Sequence, residues 1–129
     1  MARKKNFLLS ILPEKMGVCH FDEDTKAPAW ADGKVFSSIT RSAKELSVVC
    51  PQDAIPAGVL FEKDWRVFKL EGILHLFSFG VISALAAPLA KAKISIFCVS
   101  TYETNYILVE EKNFAKAKKA LSPICQFKK

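Results

Sequence analysis

Apolar positions along this chain come in short runs with two different periods, and the C-terminal half shows both clearly. Residues 65–70 (WRVFKL) alternate as a strand does, with Trp65 and Val67 on one face and the Phe68/Leu70 pair on the other. Glu71-Gly72 ends that run. Farther on, Ile82, Leu85, Ala86 and Leu89 recur at i, i+3, i+4 and i+7. That spacing predicts a helix which Ser78 can cap and which reaches about Lys91. Pro88 lies inside it and predicts a kink or a tightened last turn, because an interior Pro lacks a donor and crowds the preceding turn.

Two further apolar runs predict strands at about 94–99 and 105–110, separated by the polar knuckle Ser100-Thr101-Tyr102-Glu103-Thr104-Asn105. Glu110 and Glu111 suit the start of a second helix, where acidic groups meet the positive end of the helix dipole. Phe114, Ala117 and Leu121 supply its buried face, while Lys112, Lys116 and Lys119 point away. Pro123 stops it, and residues 124–128 can add a short strand. The order β-α-β-β-α-β is the split βαβ of ferredoxin-like folds.

The N-terminal half reads as a distorted relative. Runs at 7–12 and 18–21 suggest a hairpin around Pro13-Glu14-Lys15-Met16-Gly17, residues 27–31 a short turn or helical piece, and 22–34 the loosest stretch. Residues 35–40 and 46–50 are strand-like. SITRSAKELSVVCPQDA (38–54) and VSTYETNYILVEEKNF (99–114) each show a strand ending in a hydroxyl residue, a polar knuckle, a short apolar strand and a helix-start-like segment. The repeat predicts two similar halves, with a boundary inside 51–63 where Pro51, Pro56 and Gly58 cluster. The division expected is 1–60 and 61–129.

Composition refines this picture. Half of the 129 residues are hydrophobic and ten are Phe, enough for a packed core. The formal charge of +6 is concentrated at the ends. Without Arg3, Lys4, Lys5, Lys128 and Lys129, the 19 basic residues fall to 14 against 13 acidic ones, a body at +1. No nucleic-acid-binding signature accompanies those tails, so neither a nucleic-acid nor a membrane partner is expected. The short run FLLSIL between the basic start and Pro13, with five apolar residues, is too short for a signal sequence. The uncharged window 73–90 holds His75, Ser78, Gly80, Ser83 and Pro88, and reads as a buried loop and helix. Cys19, Cys50, Cys98 and Cys125 show no C-x-x-C spacing, and three lie in apolar runs, which suits reduced thiols, a cytoplasmic address and no metal or cofactor.

Enzyme templates are missing. There is no G-x-S-x-G, P-loop or G-x-G-x-x-G, and His20 and His75 have no evident nucleophile beside them. A binding site has better support. Gly80 before the first helix lets a ligand approach backbone N–H groups that favour a carboxylate or phosphate. Thr101, Glu103, Thr104 and Asn105, after the neighbouring strand, can supply acceptors for an ammonium. Donors facing acceptors suit a zwitterion such as a free amino acid. The bland alternative is a buried loop at 76–81 and a solvated turn at 100–105.

The string ISIFCVSTYETNYILV (94–109) resembles the signature of a bacterial family of small tandem ACT-domain proteins. FSSITRSAKELSVVCPQDAIPAGV (36–59) resembles the family's first-half motif, and WRVFKLEG with SFGVISALAAPLA (65–72 and 78–90) its second-half strand and helix. The arrangement is also similar to animal arginine sensors of the CASTOR type. The resemblance implies an α+β chain of two ferredoxin-like ACT modules in tandem, the first degenerate, their sheets side by side. It implies no catalysis, amino-acid binding as regulation, and a homodimer or a regulated partner protein. Carried over by position, the ligand contacts are Gly80 and Val81 on one wall and Thr101, Tyr102, Glu103, Thr104 and Asn105 on the other. Asn105 stands where family members commonly carry Asp, which weakens a salt link to an ammonium while keeping a hydrogen-bond acceptor.

Overall fold

In the computed structural model, residues 7–71 and 80–128 are described. They fall into two compact units, one drawn from Met1–Leu12 with Arg66–Lys129 and the other from Pro13–Trp65. Strand β5 (Phe61–Leu70) contributes its first half to one and its second half to the other. The chain is mixed α+β.

The unit containing the C-terminal half holds β1 (Phe7–Ile11), the end of β5, α1 (Val81–Lys91), β6 (Phe97–Ser100), β7 (Asn105–Glu110), α2 (Phe114–Leu121) and β8 (Cys125–Phe127). Strand β5 lies between β1 and β7, β6 flanks β7, and β8 runs parallel to β1. Leu85 and Leu89 of α1 and Ala117 and Leu121 of α2 are all 0% exposed, and pack over Leu9, Phe68, Leu70, Ile107 and Val109. The 3.6-residue stripe therefore faces the strands as its spacing requires. Phe114 stacks on Phe68 with ring centroids 5.3 Å apart.

Beyond Pro88 the helix α1 closes in a tightened end. The Ile94 N–H donates to Leu89 O and the Lys93 N–H to Ala90 O, both at 3.0 Å, with Lys93 at φ 61°. This is a Schellman ending with Lys where Gly is usual. It also explains why β6 begins at Phe97 and not at 94: buried Ile94 belongs to the helix cap.

The other unit holds β2 (Met16–Asp22), β3 (Ser38–Arg41), β4 (Glu45–Pro51) and the start of β5, in the order β3-β4-β2-β5. Cys19, Leu46, Val48 and Cys50 share one face, covered by Ala31, Trp30, Ile55 and Val59 from connecting segments and by Phe61 at the start of β5. No α-helix occurs among its described residues.

Three expectations need correction. The runs at 7–12 and 18–21 are strands but not a hairpin: β1 pairs with β5 at 68–70, whereas β2 pairs with β4 and with β5 at 61–65. Strand β5 begins at Phe61, four residues before the alternation does. Two steps on β2 (Met16 to Val18) match three on β5 (Glu62 to Trp65), so β5 carries one extra residue, a β-bulge. Asp64 sits there at φ 64°, held by Gln52, whose Oε1 accepts from the Asp64 N–H while its Nε2 donates to Asp64 Oδ1 at 3.0 Å. The bulge breaks the two-residue period and hid the strand. Finally, β3 starts at Ser38, later than 35. The capping role of Ser78 lies outside the described residues.

The two hairpins share one design. Ser38 pairs with Val49 in the first and Phe97 with Leu108 in the second, each partner 59 residues on. The same offset separates the turns opened by Ser42 and Thr101. The Ser42 N–H donates to Glu45 O at 2.9 Å, and the Thr101 N–H to Thr104 O at 2.8 Å. In each, the opening hydroxyl accepts the N–H three residues on, at 3.2 Å (Glu45 to Ser42, Thr104 to Thr101). It also relates the 3-10 turns Gln52–Ala54 and Glu111–Asn113.

Candidate functional site

The absence of Gly and Pro from the 100–105 knuckle has a physical basis. Neither Asp64 nor Lys93, the two non-Gly residues at positive φ among the described residues, lies in it, so this turn needs no left-handed residue. Side-chain oxygens hold it closed instead. The Thr101 hydroxyl bridges the N–H and carbonyl of Thr104, both at 3.2 Å. Thr104 is 6% exposed and its hydroxyl donates to Leu70 O, tying the turn to the end of β5. The Ser100 hydroxyl donates to Asn105 Oδ1 at 2.6 Å.

Of the five knuckle candidates, Thr101, Thr104 and Asn105 are thus engaged within the fold. Tyr102, 81% exposed, and Glu103 stand in solvent. Thr104 is linked through Leu70 to the segment that leads toward α1. Gly80 and Val81 sit at the start of α1; Gly80 is exposed at φ 82°, and no described residue lies within 4 Å of where a Cβ would project. Among the described residues no side chain caps the helix, and no acidic residue occupies its first turn. Its leading N–H groups are therefore not met by a carboxylate of that turn. The hydrogen bonds of the knuckle run within it and to β5; residues 76–79, on the path from β5 to Gly80, are outside the described residues.

Sequence reasoning missed a second polar cluster. Arg66 of β5 places its guanidinium 4.1 Å over the Phe114 ring, and its Nη1 donates to Glu111 Oε2 at 3.1 Å. Its Nε is buried without a hydrogen-bond partner among the described residues. Arginine between Trp65 and Val67 in an alternating strand was the available signal. Among the described residues no cluster of three or more His, Cys, Asp or Glu could hold a metal ion. Burial pushes the Cys50 thiol up to about 12 and Cys125 up to about 11, so neither is a ready nucleophile. No helix among the described residues is long and apolar enough to cross a membrane.

A β-α-β-β-α-β order with two helices over one sheet face, an open helix start and a hydroxyl-held hairpin defines an ACT-type unit. A family model described as an ACT domain matches residues 60–123, and another, described as an N-terminal domain, matches 14–58. A crystal structure of an Agobacterium tumefaciens protein is 32% identical to this chain, over 96% of this chain and 95% of its own, with a TM-score of 0.88. The chain belongs to the ACT-domain protein family. An aspartate kinase of Clostridium acetobutylicum, described as an allosteric enzyme, shares the fold at 12% identity over 95% of this chain and 35% of its own, with a TM-score of 0.67. The regulatory subunit of aspartate kinase from Thermus flavus does so at 9% identity over 88% of this chain and 94% of its own, with a TM-score of 0.61. Among curated proteins, none matches the chain.

Proposed function

We propose that this protein is a non-enzymatic regulatory module that binds a free amino acid, built from two ACT-like modules in tandem. The ligand's carboxylate meets the N–H groups at the start of α1, beside Gly80 and Val81. Its ammonium meets Glu103, with the carbonyls and side chains of Thr101 to Asn105 completing that wall. Occupancy is passed to a partner protein or to a second copy of the chain, in the cytoplasm. The observation that carries the reading is the start of α1: exposed, without a side-chain cap among the described residues, opened by a left-handed glycine and free of acidic residues in its first turn. The tandem organisation is supported by the common hairpin register, turn and 3-10 piece at an offset of 59 residues (Ser42 to Thr101).

A second reading is favoured by the engagement of Thr101, Thr104 and Asn105 in bonds of their own. In that reading the pocket is vestigial and the module serves protein association. A thermal-shift screen against the twenty amino acids at millimolar concentration separates the two. A ligand at 100 times its Kd stabilises the native state by about 2.7 kcal/mol. A selective rise in Tm that Glu103→Gln and Gly80→Val both remove supports the sensor. A flat panel with a concentration-dependent oligomer rejects it in favour of association.

A further inference from the structure

Between α1 and α2, in the unit built from the C-terminal half, runs an open groove of about 860 Å³. It is separate from the start of α1. Ala87 and Pro88 line it from one helix, Ala120 from the other, and Phe7 and Ile124 from the strand side. Leu85 and Leu89 of the same α1 are 0% exposed and already fill the core. The groove is therefore not a packing defect beneath the helices. It is an outward channel left because alanines stand where larger side chains would close it. Its volume lies in the range of small-molecule sites.

One charged side chain is found among the described residues that line it: Lys91, in the last turn of α1. Lys91 is exposed and has no ion-pair partner among the described residues, and Lys93, also exposed, follows two residues later. An apolar trough with Lys91 at its lip, the one cation among its described lining residues, is complementary to an apolar chain ending in one negative charge. We propose that this groove is a binding site for a free amphipathic monocarboxylate, its hydrocarbon part lying along Ala87, Pro88, Ala120 and Ile124 and its carboxylate held by Lys91. The apolar walls supply affinity by burying methylene groups, and Lys91 sets the sign of charge accepted.

The test is calorimetric titration of the full chain with octanoate, decanoate and decyltrimethylammonium, each below the concentration at which it forms micelles. Decanoate binds saturably at one site, with affinity rising up to about fourfold per added methylene from octanoate. The ammonium of equal length binds at least fivefold more weakly. Lys91→Glu, a surface substitution, reverses that preference, and Ala87→Trp fills the trough and abolishes binding while circular dichroism is unchanged. The proposal is overturned if neither carboxylate saturates, if both head-group charges bind equally well, or if Lys91→Glu leaves decanoate affinity as it was. Should Ala87→Trp unfold the protein, the Lys91→Glu comparison alone decides.

Discussion

Thr104 offers a direct measure of how far the knuckle is a structural device. Its hydroxyl, on a residue 6% exposed, donates to Leu70 O. Thr104→Val keeps the branched shape and removes only the donor. The loss has two parts: the net worth of a neutral hydrogen bond, about 1 kcal/mol, and the cost of depriving the Leu70 carbonyl of this donor, which raises the total to about 1–2.5 kcal/mol. Glu103→Ala, in the same turn but solvated, should change stability by less than about 0.5 kcal/mol. Urea unfolding followed by circular dichroism, with unchanged slope, reads both. If Thr104→Val costs no more than Glu103→Ala, the hydroxyl does not hold this turn to β5. The account of a Gly-free knuckle would then be wrong.

Lys93→Gly should stabilise the chain by about 0.5 kcal/mol, read as a raised urea midpoint, because the strain of a left-handed Lys exceeds the added entropy of an unfolded Gly. Glu71 is held below the usual carboxylate range chiefly by the Ser10 hydroxyl 2.5 Å away; burial opposes this, and Lys69 and Lys128 assist. A lowered folded value gives stability that is present above the unfolded value of about 4.3 and lost as pH falls through the folded one. The carboxylate-dependent penalty of Ser10→Ala should therefore be constant near neutrality and shrink below about pH 4.3 in a pH series of melts. A disulfide reagent should label Cys98 first on the native protein, since Cys19, Cys50 and Cys125 are buried; burial of its sulfur pushes the Cys98 thiol up too, so labelling should be slower than for a free thiol. Mass spectrometry of partly labelled protein checks this. Leu85→Ala should cost about 2–5 kcal/mol by opening a cavity in the core.

The sequence was most legible where local period and global packing agree. Ile82, Leu85 and Leu89 mark α1, and Phe114, Ala117 and Leu121 mark α2, because each stripe has one sheet to face. It was least legible where a distant partner decides. Nothing near Phe7–Ile11 says that β5 is its partner, so a nearby turn signal at Pro13–Gly17 suggested the wrong pairing. A cut at 60/61 likewise groups that strand with the N-terminal half, whereas it lies in the unit with 66–129. Glu62, Lys63 and the bulged Asp64 concealed the start of β5 because the extra residue shifts the alternation. For the candidate site, the polar identity of residues 100–105 stood out, but which oxygens face inward depends on hairpin register. That register emerged only once Ser100 was set opposite Asn105.

The position of β1 has a consequence for the growing chain. Residues 13–65 form a contiguous unit that can assemble as they leave the ribosome. Leu8, Leu9 and Ile11 must wait for Phe68–Leu70, about 60 residues later, and for Cys125–Phe127 on the other side. At about 5–20 residues per second, the first delay lasts some 3–12 s. Throughout that interval the nascent protein carries an unpaired apolar strand while residues 13–65 are still being made. The segment most open to a holding chaperone, or to another nascent copy, is thus the one that later lies between β5 and β8 in the finished C-terminal unit.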